Sequence, residues 1–71
     1  MRPLKFKEII KILERNGFVY NRQRGSHYIM QNINKGFIIV VPFHGENKEL
    51  TPGTFKDIIS QSQLPKEKFI K

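Results

Sequence analysis

The sequence predicts an α+β fold in which two helices flank three strands in the order α-β-β-β-α. Apolar residues recur at helical spacing near the N-terminus, two glycine-containing turns divide the middle of the chain into strand-like runs, and Thr51-Pro52 marks a second helix start. Such an arrangement forms a two-layer sandwich with a three-stranded antiparallel sheet. We expect residues 1–71 to form a single domain, with one small core and no deep cleft.

Residues 5–16 are predicted to form the first helix. Its apolar stripe, at positions i, i+3, i+4 and i+7, consists of Phe6, Ile9, Ile10 and Leu13. Asn16-Gly17 is expected to end this helix, because glycine tolerates the left-handed backbone of a C-terminal cap.

Residues 18–24 and 27–32 are predicted to form a hairpin. Glycine is the first of the two connecting residues, Gly25-Ser26, and this suits a type II′ turn. Arg24 and His27 would then face each other, with Arg22 two residues back on the same face. With regular alternation, Phe18, Tyr20 and Ile29 would share the face of His27 and these arginines. The pattern mixes apolar and charged residues and does not show which sheet face carries His27.

The rest of the chain is predicted to complete the sandwich. Asn34-Lys35-Gly36 forms a turn, residues 37–41 form a buried strand closed by Pro42, and a loop covers residues 43–50. Thr51 caps the second helix, which Leu64-Pro65 breaks and whose core stripe is Phe55, Ile58 and Ile59. A final turn over residues 66–71 is anchored by Phe69. Both helices are expected on one sheet face, which leaves the other face open.

The charge of the chain indicates a polyanionic partner. There are 13 basic and 6 acidic side chains, a net charge of +7. Residues 1–24 carry seven basic and two acidic groups, or +5, and residues 25–71 carry +2. A basic half of this kind suits nucleic acid or an acidic protein, although it also serves solubility.

Composition excludes several classes of site. The absence of cysteine excludes a disulfide framework, a thiolate zinc site and a cysteine nucleophile, and it fits a cytoplasmic protein. The charged N-terminus does not supply a signal peptide's apolar segment, and no run approaches the roughly 20 apolar residues of a membrane span. We therefore expect neither secretion nor membrane insertion.

His27 is the leading candidate for chemistry. Histidine takes and gives protons near neutral pH, and an adjacent arginine can bind a phosphate oxygen. The alternative is a surface histidine with a structural hydrogen bond. His44 is a weaker candidate, for acid/base chemistry or a phosphate contact, against the alternative of a histidine that caps a turn. No carboxylate stands at a ligand spacing from either histidine, so no metal site is expected.

An ordered set of short motifs resembles the HicA (YcfA-like) family of bacterial toxins. The resemblance covers residues 6–64 of the chain. In chain order the motifs are Gly17-Phe18, Arg22-Gln23-Arg24-Gly25-Ser26-His27, Val41-Pro42-Phe43-His44, Glu49-Leu50, Gly53-Thr54 and Ile58-Ile59. Lys5 and Pro52 depart from residues common in the family, and both departures concern helix starts.

The resemblance implies a fold like that of double-stranded-RNA-binding domains and an mRNA interferase, an endoribonuclease that acts without the ribosome. It implies that His27 is the catalytic histidine and that a HicB-like antitoxin protein covers the active site. It assigns no catalytic role to His44. The expected substrate is mRNA, and no cofactor is expected.

The expected mechanism is metal-independent RNA cleavage with His27 as general acid/base. The residues expected to contact RNA or phosphate are Arg22, Arg24, Gly25, Ser26, Lys35 and His44. Two alternatives remain at this point. One is a non-catalytic RNA-binding module with the same fold, and the other is an adaptor whose basic face docks an acidic protein.

Overall fold

The computed structural model describes residues 3–70 and has the predicted element order. Two α-helices, three strands and a final 3₁₀ turn follow one another as α1 (Phe6–Arg15), β1 (Phe18–Arg24), β2 (His27–Asn32), β3 (Ile38–Pro42), α2 (Pro52–Ser62) and the C-terminal turn (Lys66–Phe69). The strands form one antiparallel sheet in the order β1-β2-β3. The α+β prediction is confirmed, and the architecture is consistent with a double-stranded-RNA-binding-domain-like fold.

Helix α1 spans Phe6–Arg15, one residue shorter at each end than predicted, and its buried stripe is also different. Phe6, Ile9 and Leu13 are buried as predicted, whereas Ile12 is buried and Ile10 only partly so. The reason is tertiary: α1 also contacts the C-terminal turn, and Phe69 of that turn belongs to the same buried cluster as Ile12. The φ of +89° at Gly17 confirms the left-handed helix end.

One hydrophobic cluster joins both helices to the same face of the sheet. It includes α1, the sheet residues Phe18, Met30, Ile39 and Val41, and residues of α2 and the C-terminal turn. Met30, Ile39 and Val41 are fully buried. The helices therefore form one layer, as expected, and we call the opposite side of the sheet the open face.

Helix α2 starts at the predicted cap and ends at Ser62, two residues before the predicted break at Leu64-Pro65. The Thr51 hydroxyl accepts a hydrogen bond from the backbone N–H of Thr54 at 3.3 Å. Gln63, with φ 61° and ψ 17°, ends the helix in the left-handed conformation, ahead of Leu64-Pro65. Phe69 is fully buried and packs edge-on against Phe55, with ring centroids 5.9 Å apart, so the predicted anchor is confirmed.

Strand β3 spans Ile38–Pro42, one residue later at each end than predicted. Pro42 is tolerated inside the strand because β3 is an edge strand, where a missing N–H leaves no ladder bond unmade. Along the same edge, the backbone N–H of Val40 donates to the side chain of Gln61 at 3.4 Å. Helix α2 thus covers this edge, and β1 forms the other edge of the sheet.

Candidate nucleic-acid interface

The predicted hairpin turn is present and is held from two sides. Gly25 has φ +57°, the left-handed value that the first position of a type II′ turn requires. The Gln23 side chain donates to the carbonyl of Gly25 at 3.1 Å, and the N–H of Phe43 donates to the carbonyl of Ser26 at 2.7 Å. The turn that precedes His27 is therefore tied to β1 and to the chain beyond β3.

Arg24 and His27 are direct cross-strand partners, as predicted, and His27 is in turn the partner of Pro42. Partners in antiparallel strands point to the same face with Cβ atoms about 5 Å apart. Both Arg24 and His27 are exposed. Arg24, His27 and Pro42 therefore form one row across the open face at the turn end of the sheet.

A β-bulge at Asn21 places Phe18 and Arg22 on opposite faces of the sheet. Tyr20 pairs with Met30 and Arg22 pairs with Ile29, so β1 is two residues further along at the second pair whereas β2 is only one. The extra residue reverses the alternation. Phe18 and Tyr20 consequently lie with Met30 on the helix side of the sheet, whereas Arg22 and Arg24 lie with His27 on the open face.

The second row of the open face supplies an apolar floor. Arg22, Ile29 and Val40 are successive cross-strand partners. Ile29 is only 7% exposed, yet it does not belong to the core cluster beneath the helices. Together with Arg24 and His27, these residues line a shallow depression of about 430 Å³. Its described lining contains two arginines and one histidine and no acidic residue, which suits a polyanion lying across it.

Tyr28 lies on the other side of the sheet, next to α1. Its ring makes an edge-on contact with Phe6 and a tilted contact with Tyr20, with centroids 5.2 Å apart in both cases. Burial raises the pKa of Tyr28 above its ordinary value of 10.0, and the negative charges of Glu14 and Tyr20 raise it further. Tyr28 is thus a packing residue of the helix side and stays protonated at neutral pH.

Lys35 does not join the site around His27. It lies in the turn between β2 and β3, where its N–H donates to the Asn32 side chain at 2.7 Å. Successive turns of a meander lie at opposite ends of the sheet, so Lys35 is about one strand length, roughly 17 Å, from His27. An RNA contact there would be separate from the depression.

His44 is exposed and lies near the turn end, but in a different pocket. It lines a cavity of about 240 Å³ with Pro42, Leu50 and Thr54 among others. Pro42 is therefore the residue that links His44 to the row containing His27. Its two candidate roles, acid/base group and phosphate contact, stay predictions.

The sequence did not identify three residues of this interface as site residues. Asn21 creates the bulge, and Ile29 and Val40 form the floor. The signal for the bulge was the conflict within β1, where apolar Phe18 and charged Arg24 share one alternation phase. The signal for the floor was weaker, because an unbroken apolar run such as residues 37–41 does not show which residues face the helices.

The described residues 3–70 contain neither a metal-ligand cluster nor a membrane-spanning helix. No three His, Cys, Asp or Glu side chains among them are grouped so as to hold a metal ion. None of the helices in that range has the length and apolar character needed to cross a membrane.

The fold and this face together define a class of protein: a small basic α+β domain that carries a histidine and two arginines on an uncovered sheet face. The family model for the HicA toxin of bacterial toxin–antitoxin systems matches residues 6–64. The chain belongs to this family. Membership supports a toxin's role, and it implies an RNA target and an antitoxin partner in general terms. A comparison with individually curated proteins found none that matches the chain.

Proposed function

We propose that this toxin is a metal-independent endoribonuclease that cleaves mRNA in the cytoplasm, with His27 as general acid/base. The observation that carries the proposal is the meeting of His27, Arg22 and Arg24 around one shallow depression. Family membership supports a ribonuclease in general terms, and the open, shallow shape suits a polymer substrate.

The proposed reaction uses the RNA's own 2′-hydroxyl as nucleophile. Its oxygen forms a bond to the adjacent phosphorus while the bond from phosphorus to the 5′-oxygen breaks. The proton leaves the 2′-hydroxyl, and a proton is delivered to the departing 5′-oxygen. His27 transfers the proton at one of these two oxygens, a role worth about 10²–10⁴-fold in rate, and solvent water exchanges the proton at the other. The products are a 2′,3′-cyclic phosphate and a free 5′-hydroxyl. DNA lacks this nucleophile, so it would not be cleaved.

The arginines and the turn would hold the phosphate. Arg22 and Arg24 can donate paired hydrogen bonds to its oxygens and stabilise the charge that develops during attack. A Cβ built on Gly25 would meet no atom within 4 Å, so the backbone of the Gly25-Ser26 turn is open to a ligand. These contacts would place the phosphate beside His27.

An acidic HicB-like antitoxin would use the same positive surface. Arg22 and Arg24 are exposed and free to pair with either carboxylates or phosphates. RNA and antitoxin would then bind in mutually exclusive fashion. RNA bound to the toxin–antitoxin complex with the affinity of the free toxin would contradict this.

The direct test is cleavage of a single-stranded RNA by the purified toxin in the presence of EDTA. We expect the wild type to cut and His27→Ala to lose about 10²-fold or more of the rate. The exposed Lys66, in the C-terminal turn of the helix layer, gives the control variant Lys66→Ala, which should cut normally. Loss of wild-type cutting in EDTA, or normal cutting by His27→Ala, would overturn the mechanism. RNA binding without any cleavage would favour the non-catalytic RNA-binding module instead.

A further inference from the structure

A second pocket adjoins the row Arg24, His27, Pro42 at its β3 end. Pro42, the cross-strand partner of His27, also lines the cavity of about 240 Å³ that contains His44. The pocket therefore begins where the row across the open face ends. For an RNA whose phosphate lies over Arg24 and His27, Pro42 is the shared residue across which a neighbouring base would reach this cavity.

The walls of this pocket are preformed. Phe6 and Leu50 are 5% and 7% exposed and belong to the core cluster. The loop at 48–50 is bonded to the start of α1, because the N–H of Phe6 donates to the carbonyl of Lys48 at 2.9 Å and the N–H of Leu50 to that of Leu4 at 3.1 Å. A ligand would therefore meet fixed apolar walls and would not need to order them.

The remaining lining is polar and partly open to solvent. His44, Lys48 and Glu49 are exposed, and the hydroxyl of Thr54 is hydrogen-bonded to that of Thr51 at 2.9 Å. An apolar cavity with a few polar groups at its mouth is the usual form of a small-molecule site. At about 240 Å³ it is smaller than drug-sized pockets of roughly 300–1,000 Å³, so it suits a single planar ring system.

We propose that this pocket is a nucleobase subsite for the nucleotide next to the cleaved phosphate. It rests on the proposed function, because it assigns specificity to that site. Proteins that read single-stranded RNA splay bases out of the strand, stack them on aromatic or histidine rings and bond their edges. His44 supplies such a ring at the mouth, and Glu49 and Lys48 supply an acceptor and a donor for base edges.

Cleavage mapping tests the subsite on the catalytic reaction. Four proteins would each be incubated with an RNA pool of random sequence, and the cut ends would then be sequenced. The four are the wild type, Thr54→Phe, His44→Ala and the control Lys56→Ala. Thr54→Phe fills the cavity yet keeps the backbone N–H that Thr51 caps, and Lys56 is an exposed residue of α2 outside the pocket. We expect a base preference at one position beside the cut, reduced at least fivefold in both pocket variants and unchanged in Lys56→Ala. Identical preferences in all four proteins would overturn the proposal.

Binding of the four 3′-nucleoside monophosphates tests the subsite without catalysis. In the wild type, the amide chemical shifts of residues 48–54 other than Pro52 should change as at least one of the nucleotides is added. The affinity measured from these shifts should fall at least tenfold in Thr54→Phe. Equal shifts in both proteins, or none at 48–54, would overturn the subsite. If the wild type binds nucleotides here but cuts no RNA, the proposed function fails while the pocket assignment stands.

Discussion

Two single-residue deletions in β1 separate the role of Arg22 from the stability of the hairpin. Because Asn21 is the extra residue of a bulge, deleting either Asn21 or Gln23 allows a regular ladder that keeps both ends of β1 in register. In the Asn21 deletion, Arg22 stays opposite Ile29 on the open face. In the Gln23 deletion, Asn21 takes that place and Arg22 moves opposite Tyr28 on the helix side.

The two deletions should cost similar stability. The first removes the hydrogen bond from Asn21 to Gln31 at 3.0 Å, and the second removes the bond from Gln23 to the carbonyl of Gly25 at 3.1 Å. Each is an exposed bond worth about 0.5–1.5 kcal/mol. Comparable urea midpoints by circular dichroism would show that both variants are folded to a similar degree.

RNA affinity should distinguish them. A hydrogen bond from an exposed arginine to phosphate contributes about 1.5 kcal/mol, so the Gln23 deletion should weaken binding about tenfold. In the Gln23 deletion, the slope of log K against log salt should also become less steep by about 0.7, which is the effect of losing one phosphate contact on a single strand. The assay is fluorescence anisotropy with an RNA carrying 2′-O-methyl groups, which cannot be cleaved by 2′-hydroxyl attack. Equal losses in both deletions, or wild-type affinity and slope in the Gln23 deletion, would refute the assignment of Arg22.

Three further predictions concern stability. Tyr28 has a raised pKa in the folded state, so its neutral phenol stabilises the protein below about pH 10, and this stability is lost as pH rises through the raised pKa. From pH 9 to 11.5, the urea midpoint of Tyr28→Phe should therefore fall less than that of the wild type. Parallel curves would contradict this. Phe69→Ala should lower the free energy of unfolding by about 3–5 kcal/mol in urea melts, and the control Ile70→Ala, at a side chain 49% exposed, by about 0.5 kcal/mol; similar losses would show that Phe69 is no anchor. Gln63→Gly should stabilise the protein by about 0.5 kcal/mol by relieving the left-handed backbone, whereas Lys56→Gly at an exposed position inside α2 should cost about 1 kcal/mol. Thermal melts check both, and destabilisation by Gln63→Gly would refute the strain.

Local signals predicted most of the fold. The glycines at helix and hairpin turns and the Thr51 cap act through backbone conformation of a few neighbouring residues, so their effects can be read from the sequence. The burial of Ile12 in place of Ile10 could not be read in this way. It depends on the C-terminal turn, which is far along the chain and packs against α1.

The sequence singled out the histidine and the two arginines of the candidate site but not its floor residues Ile29 and Val40, and the structure places Lys35 away from it. The facing of Arg24 and His27 follows from a two-residue turn and is confirmed. Phe18 and Arg22 lie on opposite faces because of the Asn21 bulge. This arrangement packs Phe18 under the helices and keeps the arginine in solvent, and it depends on tertiary packing that local sequence does not show. Burial of the aromatic ring and solvation of the charge are both favourable, and one extra residue in β1 satisfies both.

The proposed reaction requires that the RNA supply its own nucleophile beside His27. The most direct measurement compares wild-type cleavage of an RNA at its mapped cut site with cleavage of the same RNA carrying a single 2′-deoxynucleotide on the 5′ side of that bond. We expect cutting at this bond to fall by about 10²-fold or more while binding is retained, because only the attacking hydroxyl has been removed. Cutting of the deoxy-substituted bond at the wild-type rate would contradict it.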